Sequence, residues 1–226
     1  MANCRFPNED RPFCYCHPVL TGLLLLIGLL LFTAAAYSLL AQRFLFPYDF
    51  TVQENLTADF KDMPEWLVLF WDVLAAVGSI GPTVIAIILA VIWVRRKCFE
   101  RFFLVLISYG GGLLLFIALS FLFNRERPDL PGLLSTLAFP SFPSGHMIQA
   151  TTLTLPLLAL FLPGMKSPGK RAAVLALALL YFPLIAYNRV VTNAHYLTDV
   201  LAGFGIGLFW AILVLLVFEY RQLKRQ

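Results

Sequence analysis

Arg189-Val190-Val191-Thr192-Asn193-Ala194-His195-Tyr196-Leu197-Thr198-Asp199 runs directly into the uncharged stretch Val200–Phe218. The second part is long and apolar enough for a membrane helix, which needs roughly 17–25 residues. The first part places an arginine, a histidine and a carboxylate at the mouth of that helix. A histidine and a carboxylate four residues apart share one helix face. The spacing predicts that Asp199 holds one ring nitrogen of His195 as N–H and leaves the other free to attack.

The rest of the chain has the same character. Of 226 residues, 60% are hydrophobic and 13% charged, and the mean hydropathy is +0.80. This composition excludes an ordinary soluble domain and points to a polytopic membrane protein. Uncharged stretches run Val19–Gln42, Val73–Val94, Phe102–Asn124, Met147–Met165, Ala172–Asn188 and Val200–Phe218. They predict an all-α bundle of six spans, with the fifth the shortest. Val19–Gln42 is too long for a signal-peptide core and reads as a retained first span.

Basic residues orient the bundle. With both termini in the cytoplasm, the inner segments hold Arg5, Arg11, Arg95, Arg96, Lys97, Arg101, Lys166, Lys170, Arg171, Arg221, Lys224 and Arg225, twelve of the 17. The first outer segment is acidic, with Asp49, Glu54, Asp59, Asp62 and Glu65. This asymmetry follows the positive-inside rule. The net charge of +4 arises from these inner loops and implies no nucleic-acid partner. Trp66, Trp71 and Trp93 fit an aromatic belt at the two interfaces. Cys4, Cys14, Cys16 and Cys98 all fall inside, where reduced thiols and no disulfide framework are expected.

One domain is expected over residues 1–226, with its core at 73–218. Residues 43–66 form the largest outer segment, and Phe60, Met63, Trp66, Leu67 and Phe70 suggest a short interfacial helix there. The loop at 128–143 holds Pro128, Pro131, Pro140 and Pro143 among apolar residues. It reads equally as a stiff structural loop and as a lid or lateral guide for a lipid.

On this topology Arg127, Pro143-Ser144-Gly145-His146, Arg189, His195 and Asp199 all fall at the outer face. Phosphoryl transfer spreads charge over three equatorial oxygens. It needs cations and N–H donors there, an in-line nucleophile, and an acid for the leaving oxygen. Arg127 and Arg189 can fork to phosphate oxygens. Ser144, Gly145 and His146 open a helix whose free N–H groups attract anions. His195 can attack to give a phosphohistidine, and His146 can protonate the leaving alkoxide and later activate water. No metal and no cofactor are needed for this set.

These motifs resemble those of the type 2 phosphatidic acid phosphatase superfamily, which includes membrane lipid phosphatases and vanadium haloperoxidases. Its pattern is Lys-x6-Arg-Pro, then Pro-Ser-Gly-His, then Ser-Arg-x5-His-x3-Asp, and the resemblance covers roughly residues 73–218. It implies a six-helix bundle, metal-independent hydrolysis through phosphohistidine, and a site at the outer leaflet. Two positions depart from the pattern. Ser120 stands where the family has its lysine, and Asn188 stands where it has serine. Arg125 is the expected replacement cation for the phosphate.

The leading expectation is a phosphatase acting on a membrane lipid phosphate or diphosphate, of the phosphatidate, phosphatidylglycerophosphate or isoprenyl (undecaprenyl) diphosphate class, or on lipid A phosphates. A lipid phosphotransferase shares the first half-reaction, and a lipid-binding protein with a weakened site is the non-enzymatic alternative. The chain's small size favours a bacterial inner membrane, with the site facing the periplasm. Oligomeric state is not legible.

Overall fold

The computed structural model describes residues 12–61, 63–128 and 139–224, and every regular element among them is a helix. Most of the proline-rich loop therefore lies outside the described residues, and with it the choice between lid and structural loop. In chain order the helices are α1 (Phe13–Cys16), α2 (Pro18–Ala41), α3 (Phe46–Lys61) and α4 (Glu65–Arg95). After them come α5 (Phe99–Phe123), α6 (Gly145–Phe161), α7 (Pro168–Val191) and α8 (Leu197–Leu223).

Five of these, α2, α4, α5, α7 and α8, are long and apolar enough to cross a membrane. The short one is α6, with 17 residues, whereas α7 has 24. Hydropathy had reversed this order. Pro163 and Gly164 end α6 soon after Phe161, before the apolar stretch runs out. Ser167 and Pro168 start α7 early, with Pro168 at the first helical position and Ser167 Oγ accepting from Lys170 N at 3.4 Å. Lys170 and Arg171 lie in that first turn, and their charges had hidden the start.

The expected interfacial helix is also redrawn. Its apolar pattern is split between two elements, because α3 stops at Lys61 and Trp66, Leu67 and Phe70 belong to α4. Asp49 and Gln53 are buried against the bundle, and Val52 and Leu56 pack beside Met147, Val190 and Val200. Tyr48 and Phe50 are left exposed on α3. This helix docks its polar stripe on the protein, the reverse of a helix that only floats on lipid.

Helix α8 is the axis, packed chiefly between α2 and α6. Gly28 and Gly205 permit the close approach of α2: a Cβ on Gly28 would meet Gly205 O at 2.8 Å, and one on Gly205 would meet Gly28 O at 2.7 Å. Small residues at such crossings let backbones touch, which drives helix association in lipid. Helix α5 carries a π-turn at Leu106–Gly110. Trp210 Nε1 of α8 donates to Ile107 O and Ser108 O there, at 3.2 and 3.0 Å. Ser108 Oγ donates to Thr152 O of α6 at 2.7 Å. Polar groups freed inside a membrane helix are thus taken up by neighbours.

At the end where α4 meets α5, Trp93 is buried in the core rather than facing lipid, while Trp66 at the opposite end is exposed. Cys98 is disulfide-bonded, which corrects the expectation of reduced thiols throughout. Cys14 and Cys16 are free.

Candidate active site

His195 does not lie on a helix. It occupies the turn between α7 and α8, two residues before Leu197 opens α8. Arg189 O accepts from the His195 and Ala194 N–H groups at 3.0 and 3.1 Å, which folds the turn back onto the end of α7. Helical spacing therefore does not bring His195 to Asp199. Asp199 sits in the first turn of α8, and its Oδ2 accepts from Tyr196 N at 2.9 Å.

The ring orientation also differs from the expected one. His195 Nδ1 lies 2.8 Å from Ser141 O and 3.7 Å from Asp199 Oδ2. The second distance is beyond a hydrogen bond. A backbone carbonyl therefore accepts from Nδ1–H, and Nε2 is left as the unprotonated nitrogen. Asp199 acts one step back: Ser141 Oγ donates to its Oδ2 at 2.5 Å, and Ser141 N donates to Arg125 O at 2.7 Å. Burial, the largest influence, pushes the His195 pKa below the ordinary imidazole value of 6.5. The nearby Asp199 carboxylate opposes that push, and Arg127 and Arg189 add to it.

Arg127 lies beside that nitrogen. Its Nη1 is 3.4 Å from His195 Nε2 and donates to Ala194 O at 2.9 Å, while its Nε donates to Phe139 O at 2.8 Å. Arg189 lies beside the second histidine, with Nη1 3.2 Å from His146 Nε2. Asn188 fixes it: Asn188 Oδ1 accepts from Arg189 Nε and Nη2 at 2.9 and 2.6 Å, and Asn188 Nδ2 donates to Trp71 O at 2.8 Å. The residue in the serine position thus clamps the arginine that follows it. The His146 and His195 rings stand 6.3 Å apart, centroid to centroid.

Ser144 is the N-cap of α6, and Gly145 and His146 are its first two residues. Ser144 N donates to Asp199 O at 2.9 Å, which joins the start of α6 to the start of α8. Ser144 is fully buried, and its Oγ has no hydrogen-bond partner among the described residues. An orphaned buried hydroxyl costs about 1–3 kcal/mol unless something fills it. A Cβ at Gly145 would meet the Phe116 ring at 2.9 Å. Close packing against α5, as well as any approach of an anion, therefore requires glycine there.

Ser120 and Arg125 settle the departure in the first motif differently from the sequence reading. Ser120 is buried and turns its hydroxyl onto Phe116 O of its own helix. Arg125, the expected replacement cation, turns its guanidinium to two carboxylates and a threonine. Its Nη1 donates to Asp199 Oδ1 at 2.6 Å and Thr198 Oγ1 at 2.7 Å, and its Nη2 donates to Asp49 Oδ2 at 2.8 Å. The guanidinium also lies 4.0 Å over the Tyr196 ring. Two buried carboxylates draw it behind Asp199. The fold gathers His195, His146, Arg127, Arg189, Ser144 and Gly145, with Asp199 behind them and Arg125 behind Asp199. Sequence reasoning missed Ser141 and Asp49. Ser141 follows Pro140 in a loop judged by its apolar residues, and Asp49 looked like one of five solvated acids.

Residues 101–223 match the PAP2 superfamily. Over 134 residues, 58% of this chain, the sequence is 34% identical to phosphatidylglycerophosphatase B of Bacillus subtilis (strain 168), covering 64% of that relative. Over 81 residues, 36% of this chain, it is 35% identical to lipid A 1-phosphatase of Rhizobium johnstonii, covering 29% of it. The chain thus spans less than two thirds of either curated relative. A crystal structure of a transmembrane PAP2 type phosphatidylglycerolphosphate phosphatase from Bacillus subtilis superposes with a TM-score of 0.63 at 26% identity. That match covers 83% of this chain and 93% of the other. The apolar helices and this transmembrane neighbour mark an integral membrane protein. The matched residues make up more than half of the chain and include both site histidines, Asp199 and all three arginines, so the chain belongs to the PAP2 superfamily.

Proposed function

We propose that the protein removes the terminal phosphate of a membrane lipid phosphate, without a metal, through a phosphohistidine at His195. The observation that carries this reading is the pairing of each histidine with an arginine, at 3.4 and 3.2 Å, beside the unpartnered Ser144 hydroxyl. A phosphoryl group reached by His195 Nε2 would meet Arg127 on one side and Arg189 on the other. Ser144 Oγ and the first N–H groups of α6 would donate to its remaining oxygens.

The steps balance as follows. The Nε2 lone pair attacks phosphorus, the bond from phosphorus to the lipid oxygen breaks, and protonated His146 gives its proton to that oxygen. Water then attacks phosphorus, His146 takes the water's proton, and the P–N bond breaks to return neutral His195. Arg127 and Arg189 follow the charge on the equatorial oxygens throughout. With Ser120 in the lysine position, these two arginines are the cations of the phosphate site.

The names of the relatives favour a glycerophospholipid phosphate such as phosphatidylglycerophosphate over an isoprenyl diphosphate. The positive-inside pattern supports six spans, both termini in the cytoplasm and a site at the outer face. The sixth span is α6, roughly 26 Å long at about 1.5 Å per residue, against a hydrocarbon core of roughly 30 Å. Its N-terminus would hold the site slightly below the membrane surface, at the depth of lipid headgroups.

Phosphate release from a panel of lipid phosphates and diphosphates, by purified protein in detergent with chelator, tests the reading. Release from at least one lipid, lost in His195→Ala, is expected. Transfer of the phosphoryl group to an added alcohol in place of release would favour the phosphotransferase. Absence of both would leave a lipid-binding protein.

A further inference from the structure

Asp49 sits on α3, outside the residues that match the family, yet it is fully buried at the back of the site. Its two oxygens are both used. Oδ1 accepts from Thr198 N at 2.9 Å; Oδ2 accepts from Thr198 Oγ1 at 2.6 Å and from Arg125 Nη2 at 2.8 Å. Thr198 N is one of the four N–H groups that the first turn of a helix leaves without an internal partner. The N-cap residue of α8 is Tyr196, which has no short side-chain oxygen to offer. Asp49 supplies the capping carboxylate from another helix, where the N-terminal dipole favours a negative charge.

The same carboxylate determines where Arg125 points. Arg125 lies between Asp49 and Asp199, with side-chain exposure of 6%. Asp199 in turn holds the Ser141 hydroxyl, and the Ser141 carbonyl holds His195 Nδ1. We infer that Asp49 is a positioning residue for the reaction, setting the attacking nitrogen of His195 through Arg125, Asp199 and Ser141. Without it, three buried donors (Thr198 N–H, Thr198 O–H and one Arg125 N–H) lose their acceptor, and the arginine is drawn by Asp199 alone. Two further contacts secure α3: Gln53 Nε2 donates to Val190 O at 2.9 Å and to Asn193 Oδ1. The outer helix is therefore a brace for the nucleophile.

This inference rests on the phosphatase reading for its kinetic arm, and a second arm is independent of activity. Asp49→Asn keeps an oxygen for Thr198 N–H but loses the charge that holds Arg125. Its kcat is expected to fall about 10–100-fold, the cost of a small misplacement of reacting groups, with KM little changed. Asp49→Glu should recover part of the loss. The control is Glu219→Gln at the other end of α8. That residue also binds backbone N–H groups, from Phe13 and Cys14, and should leave kcat unchanged for a comparable loss of melting temperature.

The second arm reads the ring itself. The chain has three histidines, so nitrogen-15 imidazole signals can be assigned by substituting each in turn. The His195 Nδ1–H signal is expected to shift or exchange faster in Asp49→Asn. A folded Asp49→Asn with wild-type kcat and an unchanged His195 signal would overturn the inference. If Asp49→Asn does not accumulate, Thr198→Val deletes only the shared hydroxyl and carries the same test. If wild type hydrolyses no lipid, the functional reading fails, and the imidazole signal still decides the role of Asp49.

Discussion

Helix α8 carries one buried carboxylate in its first turn and another near its C-terminal end, and the two do different things. Asp199 lies at the positive end of the helix dipole. It binds Arg125, the Ser141 hydroxyl and Tyr196 N–H, and it backs the histidine pair. Glu219 lies at the negative end, where a carboxylate is disfavoured. It binds the backbone N–H groups of Phe13 and Cys14, at 3.0 and 2.7 Å, and so latches the N-terminal segment to the bundle. The Cys14 thiol beside it is pushed up to about 12, chiefly by burial and next by the Glu219 charge, so it stays protonated and inert. A cavity of about 750 Å³ opens at this end, lined mostly by Leu, Pro and Ile side chains. A buried acid marks chemistry only when cations and a nucleophile face it.

The sharpest way to break that contrast is to remove the charge at each end in turn. Asp199→Asn keeps the shape of the first turn but loses the partner of Arg125. Turnover should fall by up to about 10⁴, the loss on neutralising the carboxylate behind a catalytic histidine. Glu219→Gln should leave turnover unchanged and lower stability by about 1–2 kcal/mol, one weakened buried hydrogen bond. Equal kinetic losses in the two variants would erase the distinction.

Next in size is the cation pair. Arg127→Ala and Arg189→Ala should each cost about 10²–10³ in kcat/KM, since each removes a donor to the transition state. Arg125→Ala separates a positioning arginine from a phosphate-binding one. Steady-state kinetics should show a fall in kcat with KM for lipid phosphate nearly unchanged. A rise in KM alone would return Arg125 to the phosphate.

The smallest effect is on pH. In the proposed mechanism neutral His195 is the nucleophile, and burial lowers its pKa. The acid limb of kcat/KM should therefore fall below pH 6.5, because the ring stays neutral until more acid conditions. The same shift makes the fold lose stability as pH drops below 6.5, since the unfolded chain takes up a proton that the native ring refuses. An acid limb above 6.5 would mean that His195 is more hydrated than the structure shows.

Much of this was legible in the chain. Apolar runs gave the helices, and the Pro143–His146 and Arg189–Asp199 segments gave the residues that converge at one end. What was hidden had physical reasons. Asp49 pairs with Arg125 and Thr198 across 76 and 149 residues, and no local pattern separates a docked acid from a solvated one. Ser141 meets His195 through its backbone carbonyl, which any residue possesses. The lengths of α6 and α7 were reversed because hydropathy counts apolar residues, whereas Pro163, Gly164, Ser167 and Pro168 set the ends. Arg125 was read as a cation for the phosphate because its charge was visible and its two carboxylate partners were not.

His195 is the proposed carrier of the phosphoryl group. Rapid acid-free quenching of purified protein with radiolabelled phosphatidylglycerophosphate tests it most directly. An alkali-stable, acid-labile label is expected on wild type within one turnover, absent from His195→Ala. Turnover without a trapped label, or a label that survives in His195→Ala, would contradict it.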